Sequence, residues 1–165
     1  DLLYEESMFD GQKVSKSRII TSVDYSMVSM EAFEIYATNH DIHVMDFVLK
    51  LDAYSYYMMN LLDYLIGNTD RHWGNWGFLV DNRTNQPVRL FDLMDLNQTF
   101  LAYDTPDGAN CMTTGNRKMS QREAAVEAVK NIGLNQKDEI KDEWFKGREK
   151  EREMFWCRFG ILKEQ

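Results

Sequence analysis

Residues 65–75 read Leu-Ile-Gly-Asn-Thr-Asp-Arg-His-Trp-Gly-Asn, and this stretch decides how the rest of the chain is interpreted. It follows a long apolar segment and precedes two short strand-like runs. Asp70 and Asn75 lie within it, and Asp92 follows the second strand-like run. Phosphoryl transfer needs a carboxylate that accepts the proton of a hydroxyl, with an amide and a carboxylate that hold magnesium. Because magnesium keeps several waters, one Asn and one Asp suffice as its protein ligands.

The phrase Asp-Arg-His-x-x-Asn at residues 70–75, with an acidic residue at a later strand end, resembles the catalytic core of the HipA-like serine/threonine kinases. The phosphatidylinositol kinases share a related phrase, and ordinary protein kinases invert its start to His-Arg-Asp and keep the Asn. Outside three segments, only the order of elements is similar. Those segments are residues 64–75, Phe78-Leu79 and Phe91-Asp92-Leu93.

The resemblance implies an α+β, mainly helical fold, like the C-terminal lobe of a protein kinase with short β-hairpins. It implies that residues 1–20 are a residual small-lobe hairpin and hinge. Residues 21–165 are then expected to form the helical catalytic lobe as a single compact domain. The implied reaction is transfer of the γ-phosphate of ATP to a Ser or Thr hydroxyl of a protein substrate, with Mg²⁺ as cofactor.

The resemblance also implies roles for individual residues. Asp70 is expected to be the catalytic base, while Asn75 and Asp92 are expected to bind the metal and, through it, the nucleotide. His72 either lies near the nucleotide phosphates or, with Arg71, orders the loop through hydrogen bonds. Leu-Met follows Asp92 where ordinary kinases have Phe-Gly, and HipA-like kinases commonly carry Leu there.

Three alternatives stay open. The first is a lipid or small-molecule kinase with the same core. A phosphatidylinositol kinase would be expected to carry a basic membrane-facing loop after Asp92, but residues 93–119 hold only Arg117 and Lys118 as basic residues. A catalytically dead interaction module would keep the loop for folding. Taken alone, Asp70-Arg71 also fits a loop salt bridge in which the Asp caps a helix.

Composition restricts the class of protein. The chain has 165 residues, 44% hydrophobic and 13% aromatic, which predicts a folded domain rather than disorder. The net charge of −8 argues against direct binding to nucleic acid. Two cysteines, Cys111 and Cys157, indicate reduced thiols in a cytoplasmic protein. Charged residues interrupt the longest apolar run and no signal peptide is visible, so no membrane association is expected.

Parts of a complete kinase are missing. The chain begins at Asp1, so we expect it to start inside a longer protein. It has no Gly-x-Gly-x-x-Gly, and Lys13 and Lys16 lie on the wrong element to replace the small-lobe lysine. By itself it is therefore expected to bind ATP weakly and to transfer phosphate poorly or not at all. HipA-like kinases act either as toxins paired with a DNA-binding antitoxin or as freestanding kinases, so the resemblance implies an antitoxin partner only in the first case, and nothing in this chain chooses between the two.

Local patterns predict the elements. The strongest is a helix over residues 45–66, apolar nearly all round and therefore central and rigid, which ends at Gly67-Asn68. His40 and His43 form a conceivable metal pair, although exposed loop histidines are the simpler interpretation. The other predicted elements are a hairpin at 2–20 with an Asp-Gly turn at Asp10-Gly11, a short helix in 21–44 with Ser29 as N-cap, strands at 76–80 and 87–91, an irregular segment at 93–119, and helices at 120–132 and 136–159. Ser120 and Glu123 predict a capping box at the start of the helix over 120–132. The last helix is predicted to place Ile140, Trp144, Phe145, Phe155 and Phe159 in the core.

Overall fold

The computed structural model describes residues 4–101, 104–115, 118–134 and 139–165. Within these ranges the chain is an α+β fold with four α-helices and two small antiparallel sheets, as expected from the sequence. In chain order the elements are β1 (Tyr4–Phe9), β2 (Gln12–Ser17), β3 (Tyr25–Ser29), α1 (Met30–Asn39), α2 (Val44–Ile66), β4 (Gly77–Asp81), β5 (Gln86–Leu90), α3 (Gln121–Ile132) and α4 (Glu149–Lys163).

The hairpin of β1 and β2 is confirmed over the described residues. Its two-residue turn, Asp10-Gly11, has positive φ at both positions, 49° and 76°. That is the geometry whose twist matches antiparallel strands, and Asp-Gly favours it. Nearly every residue of the two strands is exposed. The hairpin is therefore stabilised mainly by its own pairing.

Helix α2 is confirmed, and Gly67 ends it in the left-handed conformation with φ 62°. The helix is not one rigid rod, however, because Asp52 has non-helical angles, φ −156° and ψ 65°. The Asp52 carboxylate accepts hydrogen bonds from the Ser55 amide at 3.2 Å and from the Leu90 amide at 3.0 Å. Asp52 thus begins a second helical segment and fixes it to β5.

Strand β3 was not expected, since residues 21–44 were predicted to contain only a short helix. It pairs with β4 from Tyr25↔Asp81 to Ser29↔Gly77, which places β4 in the middle of a β3-β4-β5 sheet. Ser29 also accepts a hydrogen bond from the Ala32 amide at 3.2 Å, so its prediction as the N-cap of α1 is confirmed. Strand and helix thus meet without a loop.

At Gly77 the backbones of β3 and β4 leave no room for a side chain. A Cβ at this position would lie 2.1 Å from Val28 O and 2.8 Å from Ser29 Cα, both backbone atoms that have little freedom to move. We therefore expect Gly77→Ala to lower the free energy of unfolding by at least about 2 kcal/mol, measured by urea denaturation. Gly160 in α4 is the matched control, since no atom lies within 4 Å of its added Cβ.

The control should change stability in the opposite direction. Gly160→Ala removes a flexible residue from a helix interior, so it is expected to stabilise the chain by about 0.5–1 kcal/mol. Equal effects of the two substitutions would show that the close approach of β3 and β4 at Gly77 is not what constrains this position.

The C-terminal third combines one confirmed helix with one wrong prediction. Helix α3 has the expected capping box between Ser120 and Glu123. The single helix predicted over 136–159 is wrong within the described residues, because a short 3-10 turn (Asp142–Phe145) and then Gly147, with φ 74°, precede α4. Residues 135–138 lie outside the described part. Trp144 was wrongly assigned to the core and is 59% exposed.

The core lies between the β3-β4-β5 sheet and helices α1–α4. Phe145, Phe155 and Phe159 are buried as predicted, and Ile140 is half-buried beside them. The largest side chains that are fully buried are Met30, Val48, Met59, Tyr64, Phe78 and Leu162, together with the polar Asn68, Thr113 and Arg158. Among the described residues, no helix combines the length and the apolar character that crossing a membrane requires.

Candidate functional site

The loop over residues 68–75 joins α2 to β4 and is held by the first turn of α1. The Glu31 amide donates to Trp73 O at 2.9 Å, and the Met30 amide donates to Trp76 O at 2.9 Å. First-turn amides of a helix have no partner within the helix, so carbonyls of the loop satisfy them here. The direct passage from β3 into α1 places these amides against the loop.

A buried ion pair between Asp63 and Arg71 fixes the inside of the loop. Arg71 donates to both oxygens of Asp63, at 2.8 and 3.0 Å, and both side chains are at most 4% exposed. Asn68 donates to the same carboxylate at 2.9 Å. From the sequence, Asp70 was a possible salt-bridge partner of Arg71, but in the structure Arg71 pairs with Asp63.

Asp63 is the structural residue that the sequence analysis missed. The signal was a single carboxylate among apolar residues near the end of α2, in a helix predicted to be buried nearly all round. Because aspartate is almost never fully buried without a charged partner, such a position predicts a nearby cation. Sequence alone did not identify which cation.

Arg71 also connects the loop to the segment that follows β5. Its Nη1 donates to Asn75 O at 3.1 Å and to Met94 O at 2.8 Å, so these two carbonyls are neighbours. The Phe91 amide donates to Gly77 O at 2.8 Å, which continues the β4–β5 pairing to Phe91, the residue before Asp92. The hairpin therefore returns the backbone around Asp92 to the loop that contains Asp70 and Asn75.

Asn75 is buried at 4% exposure and carries an unpaired acceptor. Its Nδ2 donates to Asp70 O, which fixes the orientation of the side-chain amide. In the described part of the chain, Asn75 Oδ1 has no hydrogen-bond partner. Leaving a buried acceptor unsatisfied costs about 1–3 kcal/mol. A cation coordinated by this oxygen would remove that cost, so the residue fits the predicted magnesium ligand.

Asp70 is half-buried, and only its backbone takes part in holding the loop. Asp70 O accepts from the His72 amide at 3.0 Å, and the Asp70 amide donates to Asn68 Oδ1 at 3.3 Å. Within the described ranges, no hydrogen bond or ion pair involves the Asp70 carboxylate. It is therefore neither the helix cap nor the salt-bridge partner that the simplest interpretation of Asp70-Arg71 required.

Asp92 is 12% exposed at its side chain and pairs with Arg89. The guanidinium of Arg89 lies 3.1 Å from one carboxylate oxygen and 3.4 Å from the other. Asp92, which was predicted to be a magnesium ligand, thus has the positively charged Arg89 side chain beside its carboxylate.

His72 is exposed, and its Nδ1 accepts a hydrogen bond from the Gly74 amide at 3.0 Å. His72 and Arg71 therefore both order the loop, which was one of the two roles considered for them. The hydrogen bond uses the unprotonated Nδ1 of the ring.

The segment at 104–115 is anchored to α2 and to the loop. Trp73 Nε1 donates to Met112 O at 2.8 Å, and Thr113 donates to Asn60 Oδ1 at 2.5 Å. Cys111 and Tyr56 lie in the same buried cluster, where burial raises the pKa of the Cys111 thiol and raises the pKa of Tyr56 to about 12. Both groups therefore stay protonated at neutral pH.

The histidine pair has no role in metal binding that the contacts support. His43 pairs with Asp46 at 3.1 Å, and His40 Nδ1 lies 2.8 Å from Tyr36 O. Over the residues that the structure describes, no three His, Cys, Asp or Glu side chains are grouped so that they could hold a metal ion. The predicted magnesium site uses Asn75 as one of its two ligands, so it is not a cluster of three such side chains.

Comparison of this chain with models of protein families, with curated proteins and with solved structures found no match. Over the described residues, three features of this region bear on function: the buried Asn75 oxygen without a partner, the Asp70 carboxylate without a hydrogen bond or ion pair, and the Asp92 carboxylate paired with an arginine.

Proposed function

We propose that this chain carries the magnesium and base half of a HipA-like serine/threonine kinase, within a protein-kinase-like C-terminal lobe. The observation that carries the proposal is the unpaired, buried Oδ1 of Asn75, in a loop whose structural ion pair is supplied by Asp63 and Arg71. Because Asp63 takes the structural role, Asp70 is left for chemistry. The reaction is transfer of the γ-phosphate of ATP to a protein hydroxyl.

In this reaction Asp70 accepts the proton of the attacking hydroxyl, which requires a carboxylate that is not already paired. Asn75 and Asp92 would hold the magnesium ion, which supplies charge neutralisation on the phosphates when bound. Arg71 keeps Asn75 and the segment after Asp92 in one arrangement through its two carbonyl contacts. His72, which is exposed on the same loop, is the residue proposed to face the nucleotide.

The residues that cover the nucleotide phosphates are proposed to come from outside this chain, since it holds no glycine-rich phosphate loop. A protein substrate, a cytoplasmic location and, for a toxin, a DNA-binding antitoxin partner belong to the same proposal. The contacts within this chain support only the magnesium and base half of the proposed kinase site.

Isothermal titration calorimetry of the full-length protein with ATP and magnesium tests the proposal. We expect binding that requires magnesium and that is lost in Asn75→Ala, because that variant removes the unpaired oxygen. Asn131→Ala is the matched control, since Asn131 is exposed on α3 and contacts only its own helix in the described structure. Magnesium-dependent binding that both variants retain would contradict the proposed site.

A catalytically inactive interaction module is the second candidate, and the Arg89–Asp92 ion pair is the observation that favours it. In such a module this pair would be permanent and no metal would bind. An Asp92→Ala variant of the full-length protein that bound ATP and magnesium as the parent does would support this candidate, because Asp92 would then have no part in metal binding.

A further inference from the structure

Arg89 lies at the end of β5, three residues before Asp92, and its guanidinium reaches back along the chain. Nη1 donates to Asp92 Oδ1 at 3.1 Å and Nη2 donates to Asp92 Oδ2 at 3.4 Å. Nη1 also donates to Leu90 O at 2.7 Å. Each carboxylate oxygen of Asp92 therefore accepts a hydrogen bond from a different terminal nitrogen of the same guanidinium.

Burial makes a counter-ion at this position necessary. The Asp92 side chain is only 12% exposed, and a carboxylate with so little contact with water needs a compensating charge. The planar guanidinium of arginine matches a carboxylate with two parallel contacts, which a lysine does not reproduce. Arg89 supplies that charge in the absence of any metal.

The two partners differ in their freedom to move. The Arg89 side chain is 41% exposed, so its guanidinium reaches water by rotating its own side chain. The backbone beside it is fixed, because the Leu90 amide donates to Asp52 at 3.0 Å. The backbone next to Asp92 is therefore held, whereas the Arg89 side chain can rotate into solvent.

We propose that Arg89 is the internal counter-ion of Asp92 and that a divalent cation binds by displacing it, so that Arg89 sets the cation affinity of the site. The proposal rests on the proposed function, because it takes Asn75 and Asp92 as the ligands. A divalent cation offers Asp92 a larger charge than the guanidinium does, and it also pairs with the vacant Asn75 oxygen. Displacement releases Arg89 to solvent or to the phosphates of a bound nucleotide.

The test measures metal binding directly, with Mn²⁺ as the probe and the free ion counted by electron paramagnetic resonance. We expect Arg89→Gln to tighten Mn²⁺ binding by about tenfold, since it removes a positive charge that competes with the metal ion for the Asp92 carboxylate. Arg89→Lys keeps the positive charge but lacks the paired N–H donors of the guanidinium. Its Mn²⁺ affinity should therefore lie between those of the parent and of Arg89→Gln. Excess Mg²⁺ should release the bound Mn²⁺ in each case.

Arg83→Gln is the matched control because it changes the net charge by the same amount. Arg83 lies in the turn between β4 and β5, pairs with Asp81, and is 72% exposed at its side chain. Its removal should leave Mn²⁺ affinity within about twofold of the parent, since solvent screens exposed charges that lie farther away. In the double variant Arg89→Gln with Asp92→Asn, the gain in affinity should disappear.

The outcomes separate this inference from the function on which it rests. If the parent binds Mn²⁺ and Arg89→Gln binds it equally or more weakly, Arg89 is not a displaced counter-ion, while the metal site stands. If neither the parent nor any Arg89 variant binds Mn²⁺, the proposed function fails and the inference fails with it. In metal-free buffer Arg89→Gln should unfold at a somewhat lower temperature than the parent, because Asp92 loses its counter-ion. A single cooperative unfolding transition in each variant shows that the proteins compared are folded.

Discussion

The Asp70→Asn variant should lose phosphoryl transfer by about 10²–10⁴-fold, the usual contribution of a positioned proton acceptor. An amide has almost the same shape as the carboxylate but does not take up the proton. Because Asp70 holds the loop only through its backbone, its thermal unfolding midpoint in metal-free buffer should equal or exceed that of the parent. Radiolabelled ATP and differential scanning calorimetry on the full-length protein measure the two quantities.

Asp41→Asn is the control for this experiment. Asp41 is exposed in the turn after α1 and has a positive φ of 54°, a conformation that asparagine also adopts easily. The control should change neither transfer nor stability. If Asp70→Asn lowered the unfolding midpoint by several degrees and left transfer intact, Asp70 would be a structural residue and the proposed base would be wrong.

The Asp63→Ala variant should lose about 3–5 kcal/mol of stability, the usual cost of removing one partner from a buried ion pair. The loss arises because Arg71 would remain buried, with 3% of its side chain exposed, and without an anion. Asn68 would lose its side-chain acceptor at the same time. Urea denaturation of the 165-residue chain measures this effect and does not require activity.

Two further variants make this prediction specific. Asp46→Ala removes an aspartate that is 81% exposed and paired with His43, and it should leave the free energy of unfolding almost unchanged. Asp63→Asn keeps the shape and loses the charge, so its effect should lie between those of the other two. Equal and small losses in Asp63→Ala and Asp46→Ala would show that the buried pair does not hold the fold.

The two carboxylates near the end of α2 therefore have opposite expected effects. Asp63 contributes stability because its oxygens are all used by Arg71 and Asn68. Asp70 is proposed to contribute chemistry, and among the described residues nothing pairs with its carboxylate. From the sequence, Asp70 was identified as the candidate base, but Arg71 and Asp70 were equally consistent with a simple salt bridge. The contact between Asp63 and Arg71 is what separates these interpretations.

Short-range signals predicted the elements whose causes lie within a few residues. The turn at Asp10-Gly11, the capping box from Ser120 to Glu123 and the end of α2 at Gly67 all appear where the sequence placed them. Each depends on backbone angles or hydrogen bonds between near neighbours, which the local sequence specifies. The long helix prediction over 136–159 failed because Gly147 interrupts it with a positive φ.

The sequence by itself determined the turn of the first hairpin, the start of α3 and the end of α2, and which loop carries the chemically distinctive residues. Only the tertiary structure decided that β3 pairs with β4, that Asp63 holds Arg71, and that Arg89 covers Asp92. The strand and the Asp63–Arg71 pair depend on how distant or buried parts of the chain pack together. Arg89 and Asp92 are three residues apart, so a continuous strand would place their side chains on opposite faces of the sheet. They meet because β5 ends at Leu90, before Asp92.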